Sequence, residues 1–460
     1  MAKAKTQFIC SGCGAVSERW QGKCIQCGEW NTLVESQVNA GSKRSHSIGN
    51  IEKAHSLREA NEENLTRLVA GIAEFDRVVG SGIVPGALVL VGGDPGIGKS
   101  TLILQVAGRI AEGLDSRLRG NDKKGDKVLY ISGEESIRQV GMRASRLQIS
   151  SENLFLLAET NVETVVAEIK QEKPKLVIID SIQTIYSDDI MGNAGSVAQV
   201  SLCSQKLMEA AKSEHIAIII IGHVTKEGSL AGPRLLEHLV DVVLYLEGNR
   251  YGGFRVLRGI KNRFGSTNET GIFEMARDGM REVQNPSKIL LSERENSVSG
   301  TAIFPTMEGT RPLLVEIQAL TSITNFGYPK RTASGMDLNR LQLIIAVLTK
   351  RAGINLANQD IFINIVGGLA IREPALDLAV ALSIVSAYKN KPLKNDMAVF
   401  GEIGLAGEVR NVDNIEARIK EVAKLGFKSA IIPKHAKLAS DKINIIKVVS
   451  IKEAIGKAMA

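Results

Sequence analysis

The chain has 460 residues, too many for one ordinary hydrophobic core, so its length predicts about two or three domains. Apolar and charged residues make up 44% and 23% of the chain, which excludes wholesale disorder and the composition of an integral membrane protein. The formal net charge of +7 is compatible with a polyanionic partner, but an ordinary basic surface has the same charge.

Compartment signals favour an intracellular protein. The N-terminus lacks the apolar stretch of a secretory signal, and the longest aliphatic run, residues 216–221, is too short to span a bilayer. Four of the five cysteines lie within the first 27 residues, in a pattern typical of metal ligation and not of a disulfide framework. We therefore expect a cytoplasmic location and no membrane association.

The N-terminal cysteines form two near-identical knuckles, each a Cys-x-x-Cys followed by Gly. Ten residues separate the knuckles, a spacing that suits four thiolates around one tetrahedral, structural zinc ion. The predicted zinc ligands are Cys10, Cys13, Cys24 and Cys27. The alternative is a set of ordinary buried or redox cysteines. Both tryptophans of the chain, Trp20 and Trp30, lie in this module, and we expect them in its small core, with a stacking surface as the alternative.

Polar stretches predict the domain boundaries. Residues 37–63 lack sustained apolar periodicity and read as a linker, which follows a zinc module at residues 1–36. A second polar stretch, residues 281–299, marks the change from a central domain at residues 64–284 to a C-terminal domain at residues 285–460.

Short aliphatic strands alternate with helical stretches in the central domain. The predicted strands are residues 87–91, 127–132, 176–180, 216–222 and 240–247. This alternation is typical of an α/β fold with a mostly parallel sheet flanked by helices. The C-terminal domain has mixed helical and strand periodicity, which predicts an α+β fold.

A glycine-rich sequence, Gly-Asp-Pro-Gly-Ile-Gly-Lys-Ser, follows the first predicted strand at residues 93–100. Because an apolar helix is predicted to begin near Thr101, the sequence has the context of a P-loop. In a P-loop, backbone N–H groups converge on the β-phosphate, the lysine reaches the β and γ oxygens, and the serine hydroxyl binds Mg²⁺. The predicted nucleotide ligands are Gly93, Asp94, Pro95, Gly96, Ile97, Gly98, Lys99, Ser100 and Thr101.

Three carboxylates follow predicted strands at the edge of the sheet that carries the P-loop. Asp180 ends the third predicted strand, where a Walker B carboxylate would join Ser100 in holding Mg²⁺; a cap or turn residue is the alternative. Glu134 and Glu135 follow the second strand, and we predict that Glu134 orients the attacking water. The alternative for adjacent glutamates is a first helical turn stabilised by the helix dipole, which could hold for Glu135 alone.

Other polar groups are predicted near the same edge or on the surface. The fourth predicted strand leads into His223 and Thr225, which could sense the γ-phosphate, although a histidine that ends a strand is more often a hydrogen-bonded structural group. Residues 113–127 predict a solvated surface loop, with a nucleic-acid contact as the alternative. Cys203 is expected to lie in the core.

The strongest sequence marks occur together: the four-cysteine module, the P-loop with Thr101, Tyr130-Ile-Ser-Gly-Glu-Glu-Ser136 and Lys261-Asn-Arg-Phe-Gly265. With them the chain resembles, over nearly its whole length, the bacterial RadA (Sms) family of RecA-like DNA repair ATPases, which are related to hexameric replicative helicases. The resemblance implies ATP, Mg²⁺ and Zn²⁺ as cofactors, a homohexamer, single-stranded and branched DNA as partners, and joint action with the RecA recombinase.

The basic motif at residues 261–265 is characteristic of that family, and related helicases carry a similar motif that reaches the nucleotide of the neighbouring subunit. The resemblance therefore implies that Lys261 and Arg263 stabilise charge on the γ-phosphoryl group in trans. Hydrolysis would then depend on ring assembly and could be coupled to DNA in a central channel. The alternative is a solvated basic turn.

The C-terminal domain resembles the proteolytic domain of Lon protease. Its marks are Val366-Gly-Gly, Arg372-Glu-Pro-Ala-Leu-Asp-Leu-Ala379 and Gly401-Glu-Ile-Gly-Leu-Ala-Gly-Glu-Val409. The positions of the catalytic serine and lysine hold Ala375 and Glu416. Since a methyl group cannot attack a carbonyl and a carboxylate cannot replace the amine base, peptide hydrolysis by that route is excluded. The resemblance implies an inactive scaffold that supports a ring and offers a basic DNA-contacting surface.

These features predict a DNA-dependent ATPase of DNA repair and homologous recombination. It would be a ring-shaped, helicase-like motor on single-stranded DNA that processes or branch-migrates recombination intermediates. Two other functions stay open. One is an ATP-dependent protease, which the C-terminal resemblance suggests and Ala375 and Glu416 oppose. The other is a signalling ATPase or kinase on the RecA-like fold, with which paired glutamates after a strand are also compatible.

Overall fold

The computed structural model divides the chain into two compact units, which are described separately. Unit 1 comprises residues 1–247, 257–267 and 275–281, and unit 2 comprises residues 248–256, 268–274 and 282–460. The structure describes residues 5–10, 16–17, 19–26, 28–38, 66–113, 125–222, 236–248, 254–291, 298–324, 327–436 and 443–459. Within these ranges no helix is long and apolar enough to cross a membrane.

The N-terminal module contains a small antiparallel sheet with the strand order β2-β1-β3. Its strands are β1 Lys5–Cys10, β2 Val16–Ser17 and β3 Leu33–Val38. Cys10, Cys24 and Leu33 are buried together, with Phe8 packed against them. Burial of two of the predicted metal ligands in one cluster places their sulfurs in the interior of the module.

The prediction that the tryptophans fill this small core is wrong. The side chains of Trp20 and Trp30 are 59% and 70% exposed. The module is too small to enclose two indole rings, and the interior positions are taken by cysteines and aliphatic or phenyl side chains. Trp30 instead lies beside the Lys23 ammonium, which is 5.6 Å from its ring centroid, within the range of a cation–π contact.

The largest sheet of the described chain has nine strands in the order β12-β11-β10-β9-β4-β8-β7-β5-β6. Its six strands from β9 to β6 in this order are parallel. The nine strands are β4 Leu88–Gly93, β5 Val128–Ser132, β6 Leu154–Ala158, β7 Leu176–Asp180, β8 Ala217–Ile221, β9 Val242–Glu247, β10 Phe254–Asn262, β11 Thr270–Ala276 and β12 Gly279–Glu282. Continuous aliphatic runs suit strands that are covered on both faces, and β4, β5 and β8 are buried at every residue.

Helices connect the parallel strands, as the α/β prediction requires. They are α2 Lys99–Ala111, α3 Ile137–Arg146, α4 Val162–Glu172 and α5 Val197–Glu214, whereas α1 Ala73–Val79 precedes β4. Side-chain caps explain where three of them begin: Ser136 forms a capping box with Gln139 at α3, and Asn161 and Ser196 cap α4 and α5. These caps satisfy backbone N–H groups that the first helical turn leaves without partners.

Unit 2 contains a mixed seven-stranded sheet with the order β15-β16-β14-β13-β17-β20-β21 and a separate hairpin, β18-β19. The strands are β13 Thr301–Glu308, β14 Arg311–Ile323, β15 Arg331–Ser334, β16 Gln359–Ile365, β17 Met397–Val399, β18 Glu402–Ile403, β19 Val409–Arg410, β20 Ser429–Pro433 and β21 Asn444–Val448. Its sheet combines antiparallel and parallel pairs, so the α+β prediction is confirmed.

One helix forms the centre of unit 2. The helices of this unit are α6 Pro286–Leu290, α7 Leu338–Arg351, α8 Asp377–Lys389, α9 Ile415–Lys424 and α10 Ile451–Ala458. Every residue of α8 from Asp377 to Ser386 is buried. A helix that is apolar on all sides belongs in a core, and α8 packs within the main hydrophobic cluster of the unit.

Candidate nucleotide-binding site and metal module

The P-loop joins the end of β4 to the start of α2, which begins at Lys99, two residues before the predicted start. Gly98 caps the helix in a left-handed conformation, with φ of 111°. A Cβ atom at this position would lie 2.5 Å from Met280 Cε and 2.6 Å from Met275 Cε. Gly96 also has a positive φ, 74°, but a Cβ there would meet no atom within 4 Å. The two methionine ends can move aside, so the loop needs Gly98, like Gly96, for its backbone conformation.

Lys99 is buried and turns back toward the P-loop. Its Nζ donates hydrogen bonds to the carbonyl oxygens of Gly93, at 2.8 Å, and Asp94, at 3.0 Å. Burial lowers the pKa of Lys99 below its ordinary value, and nearby carboxylates, Asp180 first among them, oppose this shift. A triphosphate in the loop would add negative charge and favour the ammonium form. This is the environment expected of a lysine that binds phosphate oxygens.

Ser100 and Asp180 meet at the carboxyl edge of the sheet. Ser100 Oγ donates to Asp180 Oδ1 across 3.0 Å, although 80 residues separate them along the chain. Hydroxyl and carboxylate oxygens are the ligands that Mg²⁺ prefers. The two side chains therefore fit the predicted magnesium site, in which the ion would neutralise charge on the β- and γ-phosphate oxygens.

The adjacent glutamates have different environments. Glu134 is exposed, and its Oε1 accepts a hydrogen bond of 2.7 Å from the fully buried Ser181, the residue after Asp180. Glu135 lies directly before the N-cap Ser136, outside the first helical turn. The helix-turn alternative therefore does not describe Glu135, whose Oε2 instead lies 2.8 Å from Arg143 Nη2.

Two polar residues that sequence reasoning did not assign to the site also contact Asp180. The Tyr130 hydroxyl donates to Asp180 Oδ2, and Arg143 Nη2 lies 3.5 Å from the same oxygen. One signal was available, since Tyr130 interrupts an otherwise aliphatic strand, and a buried tyrosine hydroxyl needs a hydrogen-bond partner. No comparable signal distinguished Arg143 from the other arginines of its helix, Arg138 and Arg146.

Lys261 and Arg263 contact the segment that leads into β9. Lys261 Nζ donates to the carbonyl oxygens of Glu237 and Val240 at 2.6 and 2.8 Å. Arg263 Nη1 lies 3.4 Å from Asp241 Oδ1, and its side chain is 55% exposed. The Arg263 guanidinium therefore retains a large solvent-accessible surface in this unit.

The predicted zinc ligands are described only in part, because Cys13 and Cys27 lie outside the described residues, as do His223 and Thr225. Cys10 ends β1 and Cys24 occupies a tight turn in which Gly28 N–H donates to the Cys24 carbonyl at 2.9 Å. Both sulfurs belong to the same buried cluster. This arrangement fits a metal held by the two knuckles.

The protease-like positions of unit 2 are chemically inert in this structure. Ala375 is buried in a short 3-10 helix, Pro374–Leu376. Glu416 lies on the surface of α9, where its Oε1 pairs with Lys420 Nζ at 2.7 Å. No nucleophile and base come together through these two residues.

Comparisons with known proteins agree with this architecture. A family model described as an AAA domain matches residues 54–229, one described as the rubredoxin metal binding domain matches residues 8–35, and one described as subunit ChlI of Mg-chelatase matches residues 331–436. The AAA match supports an ATP-hydrolysing enzyme that uses ATP with Mg²⁺, and the rubredoxin match supports metal binding by the N-terminal module.

Full-length relatives identify the family. The chain is 51% identical to the DNA repair protein RadA of Listeria monocytogenes, with 100% of both chains covered. It is 50% identical to RadA of Bacillus subtilis, covering 94% of this chain and 93% of the relative, and 45% identical to RadA of Synechocystis, covering 100% and 95%. The chain therefore belongs to the RadA family of DNA repair proteins.

Proposed function

We propose that the protein is a DNA-dependent ATPase that works as a ring-shaped, helicase-like motor in DNA repair and homologous recombination. The homohexameric ring would bind single-stranded and branched DNA and process or branch-migrate recombination intermediates together with the RecA recombinase. The observation that carries the proposal is the convergence of Lys99, Ser100, Asp180 and Glu134 at one edge of the sheet.

Each side chain at this edge has a definite role in the proposal. Lys99 binds the β and γ oxygens, while Ser100 and Asp180 hold Mg²⁺. Glu134 orients the attacking water, since it is exposed and its carboxylate is fixed by Ser181. Glu135 supports this turn through Arg143. The remaining P-loop residues and Thr101 surround the phosphates, and a contact of His223 with the nucleotide stays a prediction from the sequence.

Lys261 and Arg263 are proposed to act on the nucleotide of a neighbouring subunit. Their present partners, the Glu237 and Val240 carbonyls and Asp241, lie before β9 and not on the P-loop. Because Arg263 is half exposed, its guanidinium is accessible to a second chain. A cation supplied in trans would stabilise charge on the γ-phosphoryl group and make hydrolysis depend on assembly.

We also propose the domain organisation and the identity of the structural metal. The domains are a four-cysteine module at residues 1–36, a linker at 37–63, a RecA-like domain at 64–284 and a proteolytically inactive Lon-like domain at 285–460. The metal is zinc, held by Cys10, Cys13, Cys24 and Cys27, because four thiolates suit its tetrahedral coordination.

ATP hydrolysis measured with and without single-stranded DNA, combined with the mass of the assembly in each nucleotide state, tests the proposal. We expect stimulation by DNA and a hexameric mass. Lys99→Ala should abolish hydrolysis, and Lys261→Ala should abolish DNA-stimulated hydrolysis while nucleotide binding persists. The control is Lys170→Ala, which removes an exposed lysine of α4.

Retention of DNA-dependent hydrolysis and branch migration in Lys99→Ala or Lys261→Ala would contradict the mechanism. ATP-dependent degradation of casein by the wild-type protein would instead support a protease. Autophosphorylation without any effect of DNA would support a signalling ATPase or kinase.

A further inference from the structure

Tyr130 is a fully buried residue in the middle of strand β5. Its side chain has no exposed surface, and its hydroxyl donates to Asp180 Oδ2 from the neighbouring strand. A phenol hydroxyl is protonated at neutral pH, so Tyr130 is a hydrogen-bond donor to this carboxylate.

Arg143 reaches the same carboxylate from α3. Its side chain is 14% exposed, and Nη2 lies 3.2 Å from the Tyr130 hydroxyl, 3.5 Å from Asp180 Oδ2 and 2.8 Å from Glu135 Oε2. One nitrogen thus approaches oxygens from two strands and from the turn before α3. The Arg143 guanidinium thus connects the Asp180 carboxylate to Glu135, beside the link that Ser181 makes to Glu134.

These contacts do not use all the hydrogen-bond donors of Arg143. Its Nε is a buried nitrogen without a hydrogen-bond partner in the described part of the chain. A buried donor left without a partner destabilises a fold, so packing alone does not explain why the guanidinium lies here. The guanidinium charge instead offsets the negative charge of the two carboxylates near Nη2, those of Asp180 and Glu135.

We propose that Tyr130 and Arg143 are positioning residues of the nucleotide site, which hold Oδ2 of Asp180 so that Oδ1 faces Ser100. This inference rests on the proposed magnesium and hydrolysis roles of that site. The carboxylate has two oxygens, and the structure gives them different partners: Ser100 at Oδ1, Tyr130 and Arg143 at Oδ2. Without the Oδ2 contacts the carboxylate can rotate about its Cβ–Cγ bond.

The same contacts connect metal binding to water orientation. Arg143 holds Glu135, and the next residue toward the N-terminus is Glu134, whose carboxylate is bonded to Ser181. Ser181 in turn follows Asp180 in the chain. Displacement of Arg143 therefore removes one contact from the turn that carries Glu134 and one from the Asp180 carboxylate, while Ser181, Tyr130 and Ser100 keep theirs.

Tyr130→Phe is the cleanest test, because it deletes the hydroxyl and keeps the buried ring. Outer-shell partners of metal ligands typically contribute about 10- to 100-fold to metal affinity or activity. We expect the Mg²⁺ midpoint of ATP hydrolysis to rise about tenfold and kcat to fall about tenfold, while KM for ATP at saturating Mg²⁺ stays unchanged. Mn²⁺ binding in the presence of ADP, followed by electron paramagnetic resonance, should weaken by a similar factor. The control is Tyr388→Phe, which alters a tyrosine of α8 in unit 2.

Arg143 variants test the second half of the proposal. Arg143→Gln removes the charge and should raise the Mg²⁺ midpoint, whereas Arg143→Lys keeps the charge without the planar fork and should restore only part of the loss. Tyr130→Phe combined with Arg143→Gln should cost less than the sum of the single effects, because both act on Oδ2. Arg146→Gln, an exposed arginine on the same helix, is the control.

Wild-type Mn²⁺ affinity and a wild-type Mg²⁺ midpoint in Tyr130→Phe and Arg143→Gln would overturn the proposal. A lowered melting temperature without any change in metal dependence would show a purely structural role and overturn it as well. If the wild-type protein hydrolysed no ATP, the proposed function would fail, but Mn²⁺ binding with ADP would still test the positioning role.

Discussion

Glu416 and Arg418 lie two residues apart on α9, yet one is on the surface and the other is in the core. Two residues correspond to about 200° around a helix, so the side chains point to opposite faces. Glu416 is 71% exposed. Arg418 is 2% exposed, pairs with Glu373, and has its guanidinium carbon 5.8 Å from the ring centroids of Phe304 and Phe400. The chain has thus placed a carboxylate where a protease needs an amine, and a structural ion pair beside it.

Replacement of Arg418 should strongly destabilise unit 2. Arg418→Met keeps much of the apolar stem but leaves the Glu373 carboxylate without its cation, and loss of one partner of a buried pair costs about 3–5 kcal/mol. The free energy of unfolding, measured by urea denaturation, should fall by an amount near the lower end of this range, because Thr306 and the Met307 N–H still donate to Glu373.

Two further variants separate the lost pairing from lost packing. Arg418→Met combined with Glu373→Gln should recover part of the stability, since no uncompensated charge then remains. Glu416→Gln breaks only an exposed pair with Lys420 and should cost less than about 0.5 kcal/mol. Equal losses in Arg418→Met and Glu416→Gln would contradict the assignment of Arg418 as a core residue.

At the level of elements, five parallel strands of the sheet were predicted, and strand β6 at its end was missed. The five predicted strands agree with β4, β5, β7, β8 and β9 to within two residues at each end, because aliphatic runs mark strands covered on both faces. Strand β6 was not predicted. It lies at one end of the sheet order and is only partly buried, although its sequence, Leu-Phe-Leu-Leu-Ala, is apolar throughout.

The candidate site was predictable where chemistry follows a local motif. The P-loop and the strand-ending Asp180 are local patterns, and the structure brings Ser100 and Asp180 to 3.0 Å. Tyr130 and Arg143 were missed because their role depends on contacts across two strands and a helix, which sequence spacing does not encode. The residue roles themselves remain predictions that the variants above test.

The exposed tryptophans of the N-terminal module give an optical probe of that element. Trp20 and Trp30 are the only tryptophans of the chain, so all tryptophan emission comes from the module. We expect emission typical of solvent-exposed indole and strong quenching by acrylamide, with little shift of the maximum when a chelator removes the metal. Fluorescence anisotropy should instead decrease, since loss of the metal frees the turns held by Cys10 and Cys24.

Replacement of one tryptophan at a time shows how much of the fluorescence each residue contributes. Trp30→Phe should leave the Trp20 emission and remove the residue next to Lys23, without the large loss of stability that follows from deletion of a core aromatic side chain. Blue-shifted emission that acrylamide does not quench would show that the indole rings are buried, and it would contradict the exposure of Trp20 and Trp30 in the structure.

At the scale of the whole molecule, the nucleotide site lies in unit 1 and the protease-like core lies in unit 2. Ligand that binds only a folded unit stabilises that unit, and the effect depends on the ratio of free ligand to Kd. Scanning calorimetry of the full chain should therefore resolve a transition that responds to nucleotide and one that does not. A variant of the P-loop and a variant of the unit 2 core then show which unit unfolds in each transition.

Mg²⁺ and ADP at 100 times Kd should stabilise unit 1 by about 2.7 kcal/mol and leave the second transition in place. Lys99→Ala should remove this response, because Lys99 is the buried cation of the P-loop. Arg418→Met should lower the other transition and leave the response to nucleotide intact. A single transition that moves as a whole with nucleotide and with Arg418→Met would contradict the expectation, because it would mean that the units unfold as one cooperative body.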